Sequence, residues 1–232
     1  MKREKIGAIV LAAGNGSRMK SKTAKQYLPL DGKPLIYYAL EQFQKSPVDS
    51  IVLVVSQGQE EYCRKEIAER YGFSKIIAIV AGGKERYDSV YAGLTALTGC
   101  DYVLIHDGAR PFPNQEIIGR VIDEVLKSKA CIAAMPVKDT IKIANEENDA
   151  IATPDRSSLW QIQTPQAFEY SLIKEAYEKI LSQGASGITD DAQILERATG
   201  KCCKLVNGSY RNIKVTTPED LLVAEAFLKD LE

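Results

Sequence analysis

A chain of 232 residues with 45% hydrophobic content is long enough to bury one substantial α/β core. Its 30 basic and 31 acidic residues leave a formal charge of -1, which argues against a general nucleic-acid binder or a polybasic membrane-surface protein, so any cation cluster has to be local. The five cysteines are odd in number and lack CxxC spacing, which speaks against a disulfide framework or a zinc site and fits a reducing cytosol.

Met1 to Lys5 and the apolar run after them have the outline of a secretion signal. The run is short and ends in a Gly-rich polar loop, so residues 6–13 are expected to be a buried strand, and no run approaches transmembrane length. The loop reads Ala12-Ala13-Gly14-Asn15-Gly16-Ser17-Arg18-Met19, with Lys25-Gln26 just beyond. Glycines let the backbone turn tightly and bring its N–H groups to an anion, and Arg18 and Lys25 add charge at the same place. The combination reads as a polyphosphate cradle; an ordinary strand-to-helix turn with two surface cations is the alternative. A dinucleotide turn fits less well, because Met19 stands where G-x-G-x-x-G needs its third glycine, and the P-loop Gly-Lys-Ser/Thr is absent.

A helix is expected over 34–44, a strand over 50–55, a helix over 59–71 and a strand over 75–80. Gly82-Gly83-Lys84-Glu85-Arg86 then opens a second strand–glycine–helix junction, with the helix expected over 89–97. Adjacent glycines admit a flat group such as a base, and Ser89 serves either as helix cap or as a contact to a base edge. Strand 102–107 leads into His106-Asp107-Gly108-Ala109-Arg110-Pro111. An acid ending an apolar strand is a typical place to hold a divalent metal against phosphates, unless Arg110 pairs with it. His106, the only histidine, points to the opposite face and is expected to be packed rather than a base.

Helix 115–128 and strand 131–136 complete a β-α-β-α rhythm, which means a mostly parallel, doubly wound sheet with ligands at its carboxyl strand ends. The rhythm breaks after Val137. Residues 138–164, with strand-like 140–144, a polar turn at 145–149 and another extended stretch after it, read as a β-arm, with a surface hairpin as the alternative. Helices over 171–183 and 190–199 follow, the latter starting at Thr189-Asp190-Asp191. Cys202-Cys203 reads as a strand entry, and Lys214 as a cation on a strand, facing a site or guarding an edge. Thr217-Pro218-Glu219-Asp220 starts a last helix to Leu231.

Leu-Ala-Ala-Gly-x-Gly-x-Arg-Met, Lys25-Gln26, Gly82-Gly83 with Arg86 and Ser89, His106-Asp107-Gly108-Ala109-Arg110-Pro111, Arg156-Ser157-Ser158-Leu159-Trp160, Gln163-Thr164-Pro165-Gln166, Thr189-Asp190-Asp191-Ala192 and Asn212-Ile213-Lys214-Val215 occur in that order. The set resembles the 2-C-methyl-D-erythritol 4-phosphate cytidylyltransferase family over nearly the whole chain. Ribitol- and ribulose-5-phosphate cytidylyltransferases are similar at the first loop. They typically carry Ala-Gly-Gly there, Asp-Ala-Val-Arg-Pro after the fourth strand, and no Arg-Ser-Ser-Leu-Trp arm. Lys84 departs from the family pattern, which often has Asp, so base selectivity is expected to rest more on backbone groups.

The resemblance implies one Rossmann-like nucleotidyltransferase domain over 1–232, similar to nucleotide-diphospho-sugar transferases, with the 138–164 arm joining a cytoplasmic homodimer. It implies that Ala12 and Ala13 bind the nucleotide, that Gly14, Gly16, Arg18 and Lys25 bind its triphosphate, that Gly83 and Ser89 frame cytosine, and that Asp107 positions Mg²⁺ and the ribose–phosphate region. Thr140 and Arg156 would reach methylerythritol phosphate from the partner's arm, and Thr164 and Lys214 would complete the substrate side. Arg18, Lys25 and Lys214 would be the catalytic cations. Such a reaction uses an already anionic phosphate nucleophile and needs no general base, in keeping with the absence of a His or Cys centre. Cytidylyl transfer to another polyol phosphate is the first alternative. A non-catalytic nucleotide-binding protein accounts less well for the second anion site, and a nicotinamide oxidoreductase lacks its glycines.

Overall fold

The computed structural model describes residues 3–14, 19 and 24–230. The strand β1 (Ile6–Ala12) is followed by a short hairpin, β2 (Pro29–Leu30) and β3 (Lys33–Pro34), and by helix α1 (Leu35–Lys45). The alternation then continues through β4 (Ser50–Val55), α2 (Glu60–Cys63), β5 (Ile76–Ala81), α3 (Arg86–Ala96), β6 (Tyr102–Asp107), α4 (Gln115–Ser128) and β7 (Ala130–Pro136). α2 continues as a π-helical stretch over Arg64–Glu69, so the expected single helix changes its winding half-way.

β8 (Ile143–Ala144) and β9 (Ala150–Ala152) pair only with each other. β10 (Trp160–Glu169), α5 (Tyr170–Ser182), α6 (Asp191–Thr199), β11 (Lys204–Asn207) and α7 (Pro218–Lys229) finish the chain. The main sheet has seven strands in the order β11-β7-β10-β6-β1-β4-β5. All its neighbours are parallel except β10, which runs antiparallel to both β6 and β7.

Period-two alternation sends successive strand residues to opposite layers. Ala8, Val10 and Ala12 of β1 join Ile36, Leu40 and Phe43 of α1 and Ile117, Ile118 and Val121 of α4. Ile9 joins Val90 and Leu94 of α3 and Ile173 and Tyr177 of α5 on the other face. Helices thus cover both faces of a largely parallel sheet, as the sequence rhythm requires.

The arm is shorter than expected. Trp160, Gln161 and Ile162 pair with Pro136, Met135 and Ala134, so 160–164 belongs to the main sheet. From Lys138 to Ser158 every residue but Asn145 and Pro154 is exposed, and the strand expected over 140–144 is confined to Ile143–Ala144.

His106 is fully buried against Phe43, with 5.2 Å between the ring centroids. Its Nε2 lies 3.0 Å from the Arg110 carbonyl and its Nδ1 3.0 Å from the Thr164 hydroxyl. A carbonyl only accepts, so Nε2 carries the proton and Nδ1 accepts from the hydroxyl. Burial holds the imidazole neutral, moving its pKa from 6.5 to about 4. The unfolded chain therefore binds a proton at its one histidine that the folded chain refuses, and stability falls as pH drops from 6.5 toward 4. Urea unfolding should show the wild type losing about 2 kcal/mol more than His106→Gln between pH 7 and pH 5. Equal losses would contradict a buried neutral imidazole.

Candidate active site

Strand register places the carboxyl ends of four strands on one line. Leu11 of β1 sits beside Asp107 of β6, Ala12 beside Val55 of β4, and Val55 beside Ala81 of β5. The loops that leave these ends are tied together across the sheet. The N–H of Gly108 donates to the Leu11 carbonyl at 2.8 Å, that of Gly82 to Val55 at 2.7 Å, and the Ser56 hydroxyl to Ala13 at 3.1 Å. Between them lies a cleft of about 620 Å³, lined by the 11–14 strand end, Lys25, Gln26, Gly82 to Arg86, Ser89, Asp107 and Lys214. This is the crevice position at which open α/β sheets bind ligands.

Two walls of the cleft are built by close approach. A Cβ on Gly82 would lie 2.5 Å from Ala13 Cβ and 2.6 Å from Ser89 Oγ, and one on Gly83 would lie 2.3 Å from Asp88 Cβ. α3 starts three residues earlier than expected, so Ser89 is not its cap. Glu85 is, in a capping box with Asp88, while Ser89 Oγ accepts from the Gly83 N–H at 3.1 Å and donates to the Glu85 carbonyl at 3.2 Å. Ser89 holds the shape of the glycine turn.

On the opposite wall, the buried Gln26 donates its side-chain amide to the Ala12 carbonyl, fixing the short 3-10 turn Lys25–Tyr27 against β1. Lys25 reaches across to the Val215 carbonyl at 3.2 Å. Lys214 lies on an extended segment rather than on the strand expected there. Its ladder contact is the Val215 N–H to the Ala109 carbonyl, 2.8 Å, which brings Lys214 to the end of β6.

Asp107 is the electrostatic centre. Its Oδ1 accepts from Arg86 Nε at 3.1 Å and its Oδ2 from Lys214 Nζ at 2.7 Å. Burial alone would raise its pKa, but Arg86 and Lys214 overcome that and hold the carboxyl well below the usual range. Arg110, the partner weighed from sequence, goes elsewhere: its Nη1 donates to the Asn212 carbonyl at 2.8 Å. Arg86 forks onto Asp191, with Nη1–Oδ1 at 2.9 Å and Nη2–Oδ2 at 2.8 Å, and the Tyr177 hydroxyl also donates to that carboxylate. Burial opposes the charge of Arg86, yet Asp191 and Asp107 keep its pKa well above the ordinary value.

A family model for 2-C-methyl-D-erythritol 4-phosphate cytidylyltransferase matches residues 6–230. The chain belongs to this family. A protein of that name from Lachnospira eligens is 53% identical over 96% of this chain and 98% of its own length, and one from Lachnoclostridium phytofermentans is 49% identical over 98% and 97%. The crystal structure of 4-diphosphocytidyl-2C-methyl-D-erythritol synthase from Anaerococcus prevotii superposes with a TM-score of 0.85 at 36% identity, covering 97% of this chain and 96% of that one.

Within this cytidylyltransferase-family fold, the cleft gathers Ala12, Ala13, Gly14, Lys25, Gly83, Ser89, Asp107 and Lys214. Gly16 and Arg18 lie outside the described residues. Thr140 and Arg156 sit on the exposed arm, where Arg156 Nη1 donates to the Lys138 carbonyl at 3.1 Å. Thr164 does not line the cleft. It is buried beneath it, accepting from the Asp107 N–H at 3.1 Å and serving His106. Gln26 and Asp191 were given no site role from sequence. The signal that marks Asp191 is its place in the Thr-Asp-Asp helix start: Asp190 caps α6, which leaves the second acid for another task.

Gly82→Ala should drive the strand end and α3 apart and destabilise the fold by about 1–3 kcal/mol. Urea unfolding measures this, and a change below about 0.5 kcal/mol, the size of an ordinary surface substitution, would mean that the walls are not in rigid contact.

Proposed function

We propose that the chain transfers the cytidylyl group of CTP to 2-C-methyl-D-erythritol 4-phosphate, releasing pyrophosphate and forming 4-CDP-2-C-methyl-D-erythritol. The observation that carries this reading is the cleft at the strand ends, with Lys25 and Lys214 on it and a glycine wall opposite, in a chain of this family. The reading takes the chain as one cytosolic nucleotidyltransferase domain in which Gly14, Gly16, Arg18 and Lys25 receive the triphosphate. The Gly82-Gly83 edge receives the cytosine. The names of the relatives favour methylerythritol phosphate over ribitol or ribulose 5-phosphate as acceptor.

The acceptor's phosphate oxygen attacks the α-phosphorus as the bond to pyrophosphate breaks. The nucleophile is already an anion, so the task is to bring anions together and to stabilise the charge that develops. Lys25 and Lys214, which line the cleft, would supply that charge, and His106 would take no part because it is buried and neutral.

Mg²⁺ belongs to the proposal. Among the described residues no group of three or more His, Cys, Asp or Glu side chains could hold a metal. The donors fit an ion carried by the triphosphate, with Asp107 adding one carboxylate oxygen in exchange for a cationic partner. Bound there, Mg²⁺ would neutralise charge on the triphosphate and the departing pyrophosphate. Pyrophosphate release is the test: CTP with methylerythritol phosphate should far exceed UTP, ATP or other polyol phosphates, and EDTA should abolish it. ATP used as well as CTP would sink the reading. Lys25→Ala should lower turnover on the order of 10²–10³-fold with a smaller effect on CTP affinity, and near-wild-type turnover at saturating CTP would remove Lys25 from the mechanism.

The proposal also includes a homodimer with shared sites. Ile141, Ile143 and Ile151 of the arm are 40%, 49% and 63% exposed, an apolar set that a second copy of the chain would cover. In the dimer, Thr140 and Arg156 would bind the acceptor on the partner's cleft, Arg156 as a fork on its phosphate. Arg156→Ala should raise the acceptor's KM strongly and leave CTP binding almost unchanged. Mixed and exchanged with Lys25→Ala protein, it should regain activity, because the heterodimer collects both lesions in one site and leaves the other intact. Activity equal to the sum of the two separate variants would show that the arm does not act in trans.

A further inference from the structure

Asp107 has two cationic partners of unlike kind. Arg86 is pinned: its two terminal nitrogens are spent on Asp191, which is fully buried and also takes the Tyr177 hydroxyl, so Nε alone remains for Asp107. Among the described residues Lys214 is held by a single 2.7 Å contact, and its side chain is 37% exposed against 27% for Arg86. A guanidinium forked on a buried carboxylate keeps its place, whereas an ammonium on a flexible stem can turn to another anion.

A buried carboxylate left without a cation is strongly destabilised. Were Lys214 the sole partner of Asp107, it would be tied there. The four groups Asp191, Arg86, Asp107 and Lys214 alternate in sign and sum to zero before any ligand arrives. A triphosphate brings negative charge to the Lys214 end of this row. We propose that Arg86 is a positioning residue: it holds the charge of Asp107 so that Lys214 can leave that carboxylate for a phosphate oxygen of the nucleotide. The inference rests on the reading of the cleft as a nucleotide site.

Arg86→Gln alone would strand the buried charge of Asp191, so the variant to build is Arg86→Gln with Asp191→Asn. Lys214→Gln is made alone, and Asp107→Asn is added to that pair with and without Lys214→Gln, so that no variant leaves a buried carboxylate without a cation. Calorimetric titration with CTP in EDTA leaves only the protein's own cations to neutralise Asp107. Lys214→Gln is expected to weaken binding on the order of 10-fold, and the pair by a similar factor because Lys214 without Arg86 is withheld; Asp107→Asn added to the pair should restore binding, and Lys214→Gln on top of that should cost the 10-fold again. A pair variant that Asp107→Asn does not rescue, or a rescue that Lys214→Gln leaves intact, would overturn the proposal.

The ¹⁵N signal of the Lys214 ammonium, assigned by its loss in Lys214→Gln, should shift on CTP addition in the wild type and stay still in the pair variant. A shift in both overturns the proposal. So does a wild-type signal that CTP leaves unmoved, a measurement that stands even if the pair variant does not fold. Arg86→Lys, which keeps a cation between the carboxylates, should retain CTP affinity within about 3-fold, and a loss as large as the pair's would mean that charge is not the reason. A wild type that binds no CTP sinks the nucleotide reading itself, whereas binding without the rescue by Asp107→Asn sinks only the role of Arg86.

Discussion

The contact on which the site depends is the ion pair of Arg86 with Asp107 and Asp191. Arg86 is the first residue of α3, Asp107 the last of β6 and Asp191 the first of α6. One guanidinium therefore joins the ends of three elements that meet only in the folded chain. It satisfies a carboxylate with no exposure and fixes another that faces the cleft. Because Asp191 is locked from the far side by Tyr177, and its own N–H is received by Gln166 of β10 at 3.1 Å, the arrangement leaves Arg86 no second orientation. The glycine wall follows α3, the carboxylate follows β6, and their spacing follows from this pair.

Such rigidity suits a reaction whose nucleophile is already charged. Proton transfer calls for a group poised near neutral pH, and the described residues that line the cleft include no histidine or cysteine. Asp107 stays ionised far into acid, Arg86 stays charged, and the lone histidine lies beneath the floor. What the protein supplies is fixed opposite charge and a shaped wall, the two contributions that dominate phosphoryl and nucleotidyl transfer.

The sheet was legible because its strands are long apolar runs punctuated by glycine, and the ends of β1, β5 and β6 carry the loops that line the cleft. β10 was legible only as an extended stretch closing the arm, not as a strand of the main sheet. It contains Gln163, Thr164, Pro165 and Gln166, residues that a pattern reading assigns to a loop. They are buried because they satisfy groups far away in sequence: Gln163 bonds Ser209 and Asn212, and Gln166 receives the first N–H groups of α6. The cap alternative for Ser89 fails for a related reason. The capping box of Glu85 and Asp88 requires that the helix begin at Arg86, and two preceding glycines hide that start from a propensity argument. Lys214, between Ile213 and Val215, has the alternation of a strand, but it pairs only through Val215 and so remains an extended connector.

The antiparallel placement of β10 has a consequence for how arm and cleft are joined. The strand that returns from the arm runs between β6 and β7, so its Thr164 lies under the end of β6 and accepts the Asp107 N–H. Asn212 then donates to the Thr164 carbonyl at 2.8 Å, and two residues later the chain delivers Lys214 to Asp107. The root of the arm, the acid and its lysine partner are thereby held in one polar cluster across more than a hundred residues of sequence. A parallel crossover at this position would have carried the chain away from the strand ends. The reversal of one strand keeps it beside them, so the break in the β-α rhythm after Val137 leaves the chain at the strand ends that line the cleft.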